Sequence, residues 1–446
     1  MNWILRGVRV IDPAVHDDVR ERDVWLRDGR IVEINSAIRA DGAPVIDLTP
    51  ARGGEPCVLC PGFIDIHAHL REPGGEDAET IASGAEAAAA GGFTHVVGMA
   101  NTAPPVDTPP RVKDAIARAS NGAVQVLTTA ALTRALAGHD LVDIAGCADA
   151  GAVAFSDDGR NTASEDVLAE GLRLAAAVSR PVLVHPEDEA ALARLAGGDD
   201  LVVRGSERPA WVETRAVEAA LAALSRASAG RLHLQHITTE ESVELVRRAK
   251  AAGAPVTAEV TPHHLSLPPA PSDEEERSPL RKVNPPLRGE QDRLALIDAL
   301  RGGTIDCVAT DHAPHPAAEK ALPYEQAAPG MIGLETALAV CNMLGGMGGE
   351  WLPTLVERLT SGPHRVLGSE RLQVPRLRVG ETADCVLFDP DGDWVVGEEP
   401  LRSRSQNTPL LGARLRGRIL LTIAGGVVVY REAARIPVTP LQVAHG

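Results

Sequence analysis

Between residues 62 and 310 the chain repeats one pattern: a short apolar run, a polar cluster, then an Ala-rich stretch of helical character. The apolar runs lie at 62–70, 94–100, 124–131, 152–157, 181–185, 232–237, 256–261 and 306–310. Each is short enough for a buried strand, and polar or turn residues close it. Stretches such as Glu79–Ala90, Glu165–Val178, Val212–Ala227, Glu240–Ala252 and Gln291–Leu300 read as the helices between them. Eight strands alternating with helices predict an α/β fold, a (β/α)8 TIM-like barrel. A doubly wound open sheet would want a G-x-G-x-x-G turn after its first strand, and none is present.

On either side of this region the pattern turns to β. Trp3–Ile11 reads as a strand stopped by Asp12-Pro13, and Val24–Leu26 and Arg30–Ile34 flank an Asp28-Gly29 turn as a hairpin. Pro44–Leu48 is another short strand, and Glu381–Phe388, Arg418–Ile423 and Val427–Tyr430 are strands of the tail. Neither flank is long enough to bury a good core alone. Residues 1–60 and 372–446 are therefore expected to pair into one small β domain beside a barrel spanning 61–371. Pro268–Ser278, rich in Pro, Ser, Asp and Glu, reads as a surface loop.

Composition narrows the possibilities. Hydrophobic residues make up 44% of the 446 positions and aromatics only 2%, so the core must be built from Ala, Val, Leu and Ile. A net charge of −17 argues against sequence-independent nucleic-acid binding, which needs a basic face. It leaves room for an anionic small molecule held by one local arginine. No run of 18 apolar residues offers a membrane span, and Met1–Arg9 has no apolar stretch of signal-peptide length. The cysteines at 57, 60, 147, 307, 341 and 385 are too scattered for a disulfide framework, and Cys57 and Cys60 sit in a strand-like run. A cytoplasmic protein is expected.

Chemistry in such a barrel gathers at the C-terminal ends of the strands. The first strand ends in Asp65-Ile66-His67-Ala68-His69-Leu70-Arg71, before a Glu72-Pro73-Gly74 turn. Side chains two apart on a strand share a face, so His67, His69 and Arg71 are expected on one side and Ile66, Ala68 and Leu70 on the other. Two imidazoles aimed into a core without partners would lose hydration free energy. A metal ion resolves the difficulty, because neutral imidazole is a good zinc ligand. The other ends carry Asn101, Asp157-Asp158, His185, His236, His263-His264, and Asp311-His312 with His315. His233, three before His236, is expected to face the other way, into the core or behind the ligands as a supporting partner. His and Asp at the ends of strands one, four, five, six and eight suffice for two zinc ions sharing ligands, and such a pair needs a bridging group. The lysines are Lys113, Lys250, Lys282 and Lys320, and none ends one of the first four strands. The bridge is therefore expected to be a carboxylate of the Asp157-Asp158 pair.

Taken together, Pro61–Gly74, Asn101-Thr102, Phe155–Gly159, Ala258–His264, Asn284–Arg288 and Ala309–His315 resemble the dihydroorotases of the long bacterial class, within the amidohydrolase superfamily. The pattern departs from that family at Ala100 and Pro329. The resemblance implies that the flanking segments 1–60 and 372–446 form a split β-sandwich domain, and it implies a zinc-dependent, reversible cyclisation of N-carbamoyl-L-aspartate to L-dihydroorotate in pyrimidine synthesis. It implies that His67, His69, Asp158 and Asp311 hold one metal and that Asp158, His185 and His236 hold the other, with Asp158 as the bridge. Asp311 would move the proton. Substrate contacts would fall on His69, Arg71, Asn101, Asn284, His315 and the backbone at Pro329-Gly330. A homo-oligomer is expected, and aspartate carbamoyltransferase is the partner the resemblance suggests. Two rival readings share the scaffold: an allantoinase or hydantoinase, and a non-catalytic relative that only binds that partner enzyme.

Overall fold

The computed structural model describes residues 1–15, 17–50, 54–161, 164–195, 208–270, 272–346, 350–372 and 376–436. Five strands come first: β1 (Asn2–Asp12), β2 (Asp17–Arg27), β3 (Arg30–Asn35), β4 (Val45–Asp47) and β5 (Val58–Pro61). Eight short strands follow at the predicted places. They are β6 (Phe63–Ala68), β7 (Phe93–Gly98), β8 (Gln125–Thr128), β9 (Phe155–Ser156), β10 (Val182–Val184), β11 (Leu232–Leu234), β12 (Val256–Val260) and β13 (Cys307–Val308). The last three are β14 (Cys385–Val395), β15 (Arg414–Ala424) and β16 (Val427–Arg431).

Strands β6 to β8 pair in parallel in chain order, and so do β9 to β13. Two parallel bridges continue the order across both gaps: Ala130 to Phe155 joins β8 to β9, and Ala68 to His312 joins β6 to the segment after β13. The ring is that of a (β/α)8 barrel and not of an open doubly wound sheet. Helices cover it, and their starts are written locally. Thr80 and Ser83 form a capping box before helix Ile81–Ala90, and Thr239 caps helix Glu240–Ala251.

Neighbouring residues of one strand serve different cores, as alternation requires. Val182 and Val184 pack in the large cluster shared with the helices. Leu183, between them, joins Ile64, Val97, Leu127, Cys307 and Ala309 in a second cluster that includes Val366 and Leu367 of helix Ser361–Leu367. One expected face is corrected here. Ala68 and Leu70 pack with the helices, but Ile66 belongs to the second cluster. The pairing of β6 with β7 slips between Asp65 and Ala68, which breaks the two-residue alternation just before the first histidine.

The flanking strands form one sheet in the order β16-β15-β14-β5-β1-β2-β3, with β4 beside β1. β5 lies between β1 and β14, so strands from both ends of the chain interleave. The sheet curls until the β2–β3 turn meets the approach to β14: Ile31 N–H donates to Glu381 O (3.1 Å) and Ala383 N–H to Gly29 O (2.8 Å). Leu5, Val24, Leu26, Leu59, Leu387 and Ile423 share the enclosed core. Against the barrel, the Phe63 ring centroid lies 5.7 Å from that of Phe93 and 6.4 Å from that of Phe388, an arrangement that fixes the sheet on the strand carrying the histidines.

Candidate active site

The strand ends bring His67, His69, Asp158, His185, His236 and Asp311 together, all of them buried. Asp158 is the centre. Its Oδ1 lies 3.3 Å from His67 Nε2 and 3.6 Å from both His185 Nδ1 and His236 Nε2, and its Oδ2 lies 3.4 Å from His69 Nε2. Asp311 Oδ1 is 3.0 Å from His69 Nε2 and 3.6 Å from His67 Nε2. Asp157 turns away. Its carboxylate accepts the Leu132 N–H (2.8 Å), the Thr133 N–H (3.0 Å) and the Thr133 hydroxyl (2.5 Å), and so holds the loop after β8.

The imidazoles are aimed from behind. His67 Nδ1 meets Glu259 Oε1 at 2.6 Å, and the other oxygen of Glu259 takes His233 Nε2 at 3.0 Å. His185 Nε2 meets Glu187 Oε2 at 3.0 Å, and Arg208 donates to the same oxygen. His69 Nδ1 meets Asn101 Oδ1 at 3.0 Å, while the Asn101 amide nitrogen donates to Asp158 O at 3.2 Å. Carboxylates and amides behind metal-binding histidines fix ring orientation in this way.

The electrostatics ask for positive charge. Burial alone would raise the Asp158 carboxyl, but the facing imidazoles of His67, His185 and His236 hold it well below the usual carboxylate range. Burial likewise disfavours the charged form of His185, yet Asp158 and Glu187 pull it up to about 10. Glu259 is held down to about 2 by His67 and His233 against the cost of its burial. Protons or metal ions can supply the missing charge.

The donor set fits two ions. His67, His69 and Asp158 offer atoms within 4.8 Å of one another, and so do Asp158, His185 and His236, with Asp158 common to both. Asp158 Oδ1 is buried with no hydrogen-bond partner. His185 Nδ1 and His236 Nε2 stand only 2.9 Å apart. A third group, His233, Glu259 and Cys307, is also close, but His233 and Glu259 already bond to each other.

Beside this cluster lies a rim formed by Arg71, His315 and the backbone at Pro329-Gly330. Arg71 has left the strand, with a backbone φ of +59°, so the simple two-residue step beyond His69 does not describe it. Its Nε donates to Pro314 O (3.1 Å), and its Nη2 lies 3.2 Å from His315 Nε2. His315 is pushed down to about 4 by burial and by the Arg71 charge, and is neutral near pH 7. Pro329 O is 2.9 Å from His315 Nε2. Gly330, at φ +133°, is close enough that a Cβ there would stand 2.7 Å from the Ala313 Cβ. Asn284, with its amide oxygen turned to Arg208, accepts from Nη2 at 3.2 Å.

A family model described as dihydro-orotase-like matches residues 57–242. A dihydroorotase of Aquifex aeolicus is 38% identical over 97% of this chain and 100% of its own length. One of Anaeromyxobacter dehalogenans is 40% identical over 96% and 98%.

The chain belongs to the dihydroorotase family.

Among solved structures, the L-hydantoinase (dihydropyrimidinase) of Arthrobacter aurescens superposes with a TM-score of 0.81 at 27% identity, covering 96% of each chain. Neither Glu259 nor Glu187 follows from the strand ends alone as a partner of His67 or His185. Glu259 left a signal, a lone acid inside the apolar strand Val256–Val260. Glu187 was visible only as part of the acidic turn after His185. Of the two neighbouring histidines of strand seven's end, His264 bonds Thr261 and Pro285 O, whereas His263 keeps a buried Nε2 with no partner.

Proposed function

We propose that this protein is a dihydroorotase, interconverting L-dihydroorotate and N-carbamoyl-L-aspartate, with two zinc ions per chain. Family membership supports the reaction class. The observation that carries the substrate is Arg71, a half-buried arginine whose charge faces Asp311 and Asp158. Dihydroorotate carries a carboxylate that a guanidinium fork can bind bidentately. Hydantoin and allantoin offer no such group.

In this reading His67, His69, Asp158 and Asp311 hold one ion and Asp158, His185 and His236 the other. When bound, such ions polarise a carbonyl and lower the pKa of water. The chain's own residues do the rest. Arg71 and His315 fix the substrate carboxylate, and Asn101 completes the clamp from the His69 side. Asn284 and the backbone at Pro329-Gly330 border the ring. In the hydrolytic direction a water oxygen adds to the ring amide carbon and the carbon–nitrogen bond breaks. Asp311 takes the proton from the water and delivers it to the departing nitrogen, as base and then acid.

No described helix is long and apolar enough to cross a membrane. We place the enzyme in the cytoplasm, as a homo-oligomer able to associate with aspartate carbamoyltransferase. Assaying dihydroorotate, allantoin and hydantoin side by side tests the function. Turnover confined to dihydroorotate is expected. A preference for either uncharged ring would replace this assignment with that of a hydantoinase or allantoinase, and a zinc-free, inert protein would leave only the scaffold role.

A further inference from the structure

The segment between β14 and β15 crosses to the barrel where its first and last strands meet. Ser403 Oγ donates to Glu79 Oε2 (2.6 Å) and Ser405 Oγ to Ala78 O (2.7 Å), beside the capped start of helix Ile81–Ala90. Glu79 Oε2 in turn lies 3.2 Å from His312 Nε2, next to Asp311. Two residues on, Asn407 is 4% exposed, and every atom of its amide is engaged by the substrate rim. Its Nδ2 donates to Ala313 O (3.0 Å) and to Gly330 O (3.1 Å), and its Oδ1 accepts the His315 N–H (3.1 Å). Its backbone O accepts the Ile332 N–H at 3.1 Å. The amide orientation is unambiguous, since two carbonyls face one end and an N–H the other.

One side chain therefore joins residues 313–315 to residue 330, the two arms of the loop that present His315 and Gly330 toward Arg71. Lys320 steadies the same carbonyl, donating to Gly330 O at 2.9 Å and to Ala328 O at 2.7 Å. Nothing from Asn407 reaches the metal-binding cluster.

We propose that Asn407, supplied by the C-terminal β segment, is a positioning residue that sets the carboxylate-binding geometry of Arg71 and His315 without touching substrate. The proposal rests on the dihydroorotase reading. It separates from a general structural role because it should act on substrate binding and leave the metals alone.

The test is steady-state kinetics with elemental analysis on the full-length holoenzyme. Asn407→Ala should raise KM for dihydroorotate about tenfold, the scale of a few lost hydrogen bonds, with kcat and zinc content near wild type. Asn407→Asp, the same shape, should fold even if the alanine variant does not. It should show at least as large a KM rise, since a carboxylate would face two carbonyl oxygens. If Asn407 acts through His315, the double variant Asn407→Ala/His315→Ala should be no worse than His315→Ala alone. Unchanged KM in both single variants, or effects that multiply in the double variant, would overturn the proposal. A wild type inert to dihydroorotate is a separate failure, that of the functional reading, and shows before any variant is made.

Discussion

His69 and Arg71 are two residues apart, yet they are held by different means. On the side proposed for the metals, His67, His69 and His185 each have a side-chain partner behind the ring: Glu259, Asn101 and Glu187. Glu259 stands on strand β12, and Asn101 and Glu187 follow the ends of β7 and β10 by three residues. On the side proposed for substrate, Arg71 and His315 lean on main-chain oxygens of Pro314 and Pro329, and the carboxylate at the His315 ring, Glu319 Oε2 at 2.8 Å from Nδ1, is half exposed and belongs to the same stretch after β13. The first arrangement is set before any ligand arrives. The second is only as accurate as a loop. Zinc content and KM should accordingly respond to different residues.

The sharpest attempt to break that division is Asp158→Ala. It removes the one carboxylate common to both donor groups, and zinc and turnover should vanish together in elemental analysis and assay. Asp157→Ala is the control and should keep its zinc, because that carboxylate serves Leu132 and Thr133. Added bicarbonate should not change reconstitution, since no lysine enters the cluster. Next comes Asp311→Asn. It should retain at least one ion and lose turnover by roughly 100-fold or more, as for a removed general base.

On the other side, Arg71→Met should raise KM for dihydroorotate by about 10- to 100-fold, the scale of a lost charge-assisted contact, with zinc unchanged. Arg71→Lys should recover part of the loss, because a point charge cannot reproduce the fork. Zinc loss in Arg71→Met would erase the distinction between the two sides. The smallest effect expected is that of Glu259→Gln, which keeps the shape behind His67 but removes its charge. Zinc affinity should fall by about tenfold in a chelator competition, within the range for such outer partners, and KM should hold.

The histidine–aspartate cluster was the more legible from sequence. Its residues end short apolar runs, so finding the strands located His67, His185, His236 and Asp311 at once. Even strands that came out shorter than expected, such as β9 at Phe155–Ser156 and β13 at Cys307–Val308, kept their polar ends in place. What resisted reading depends on neighbours remote in the chain. The role of Glu259 needs β12 to face β6, and 192 residues separate it from His67. The face of Ile66 depends on a slip in pairing that no alternation rule contains. Asn407 belongs to a segment that looks like a connection between two tail strands, and nothing local ties it to the loop it holds.

The interleaved sheet also sets a timetable for synthesis. Pro61 of β5 finds its partner in Cys385 of β14, so about 320 residues must be made in between. At about 5–20 residues per second the ribosome takes roughly 15–65 s to do so. Throughout that interval the β5 edge, Val58–Pro61, apolar and fully buried in the finished protein, has no strand on its β14 side. Open apolar edges invite pairing with other chains. The barrel can close on its own strands meanwhile, but the surface beside Phe63 stays open until the tail arrives. A chaperone that shields the nascent N-terminal strands would thus matter more to the yield of this enzyme than to its final stability.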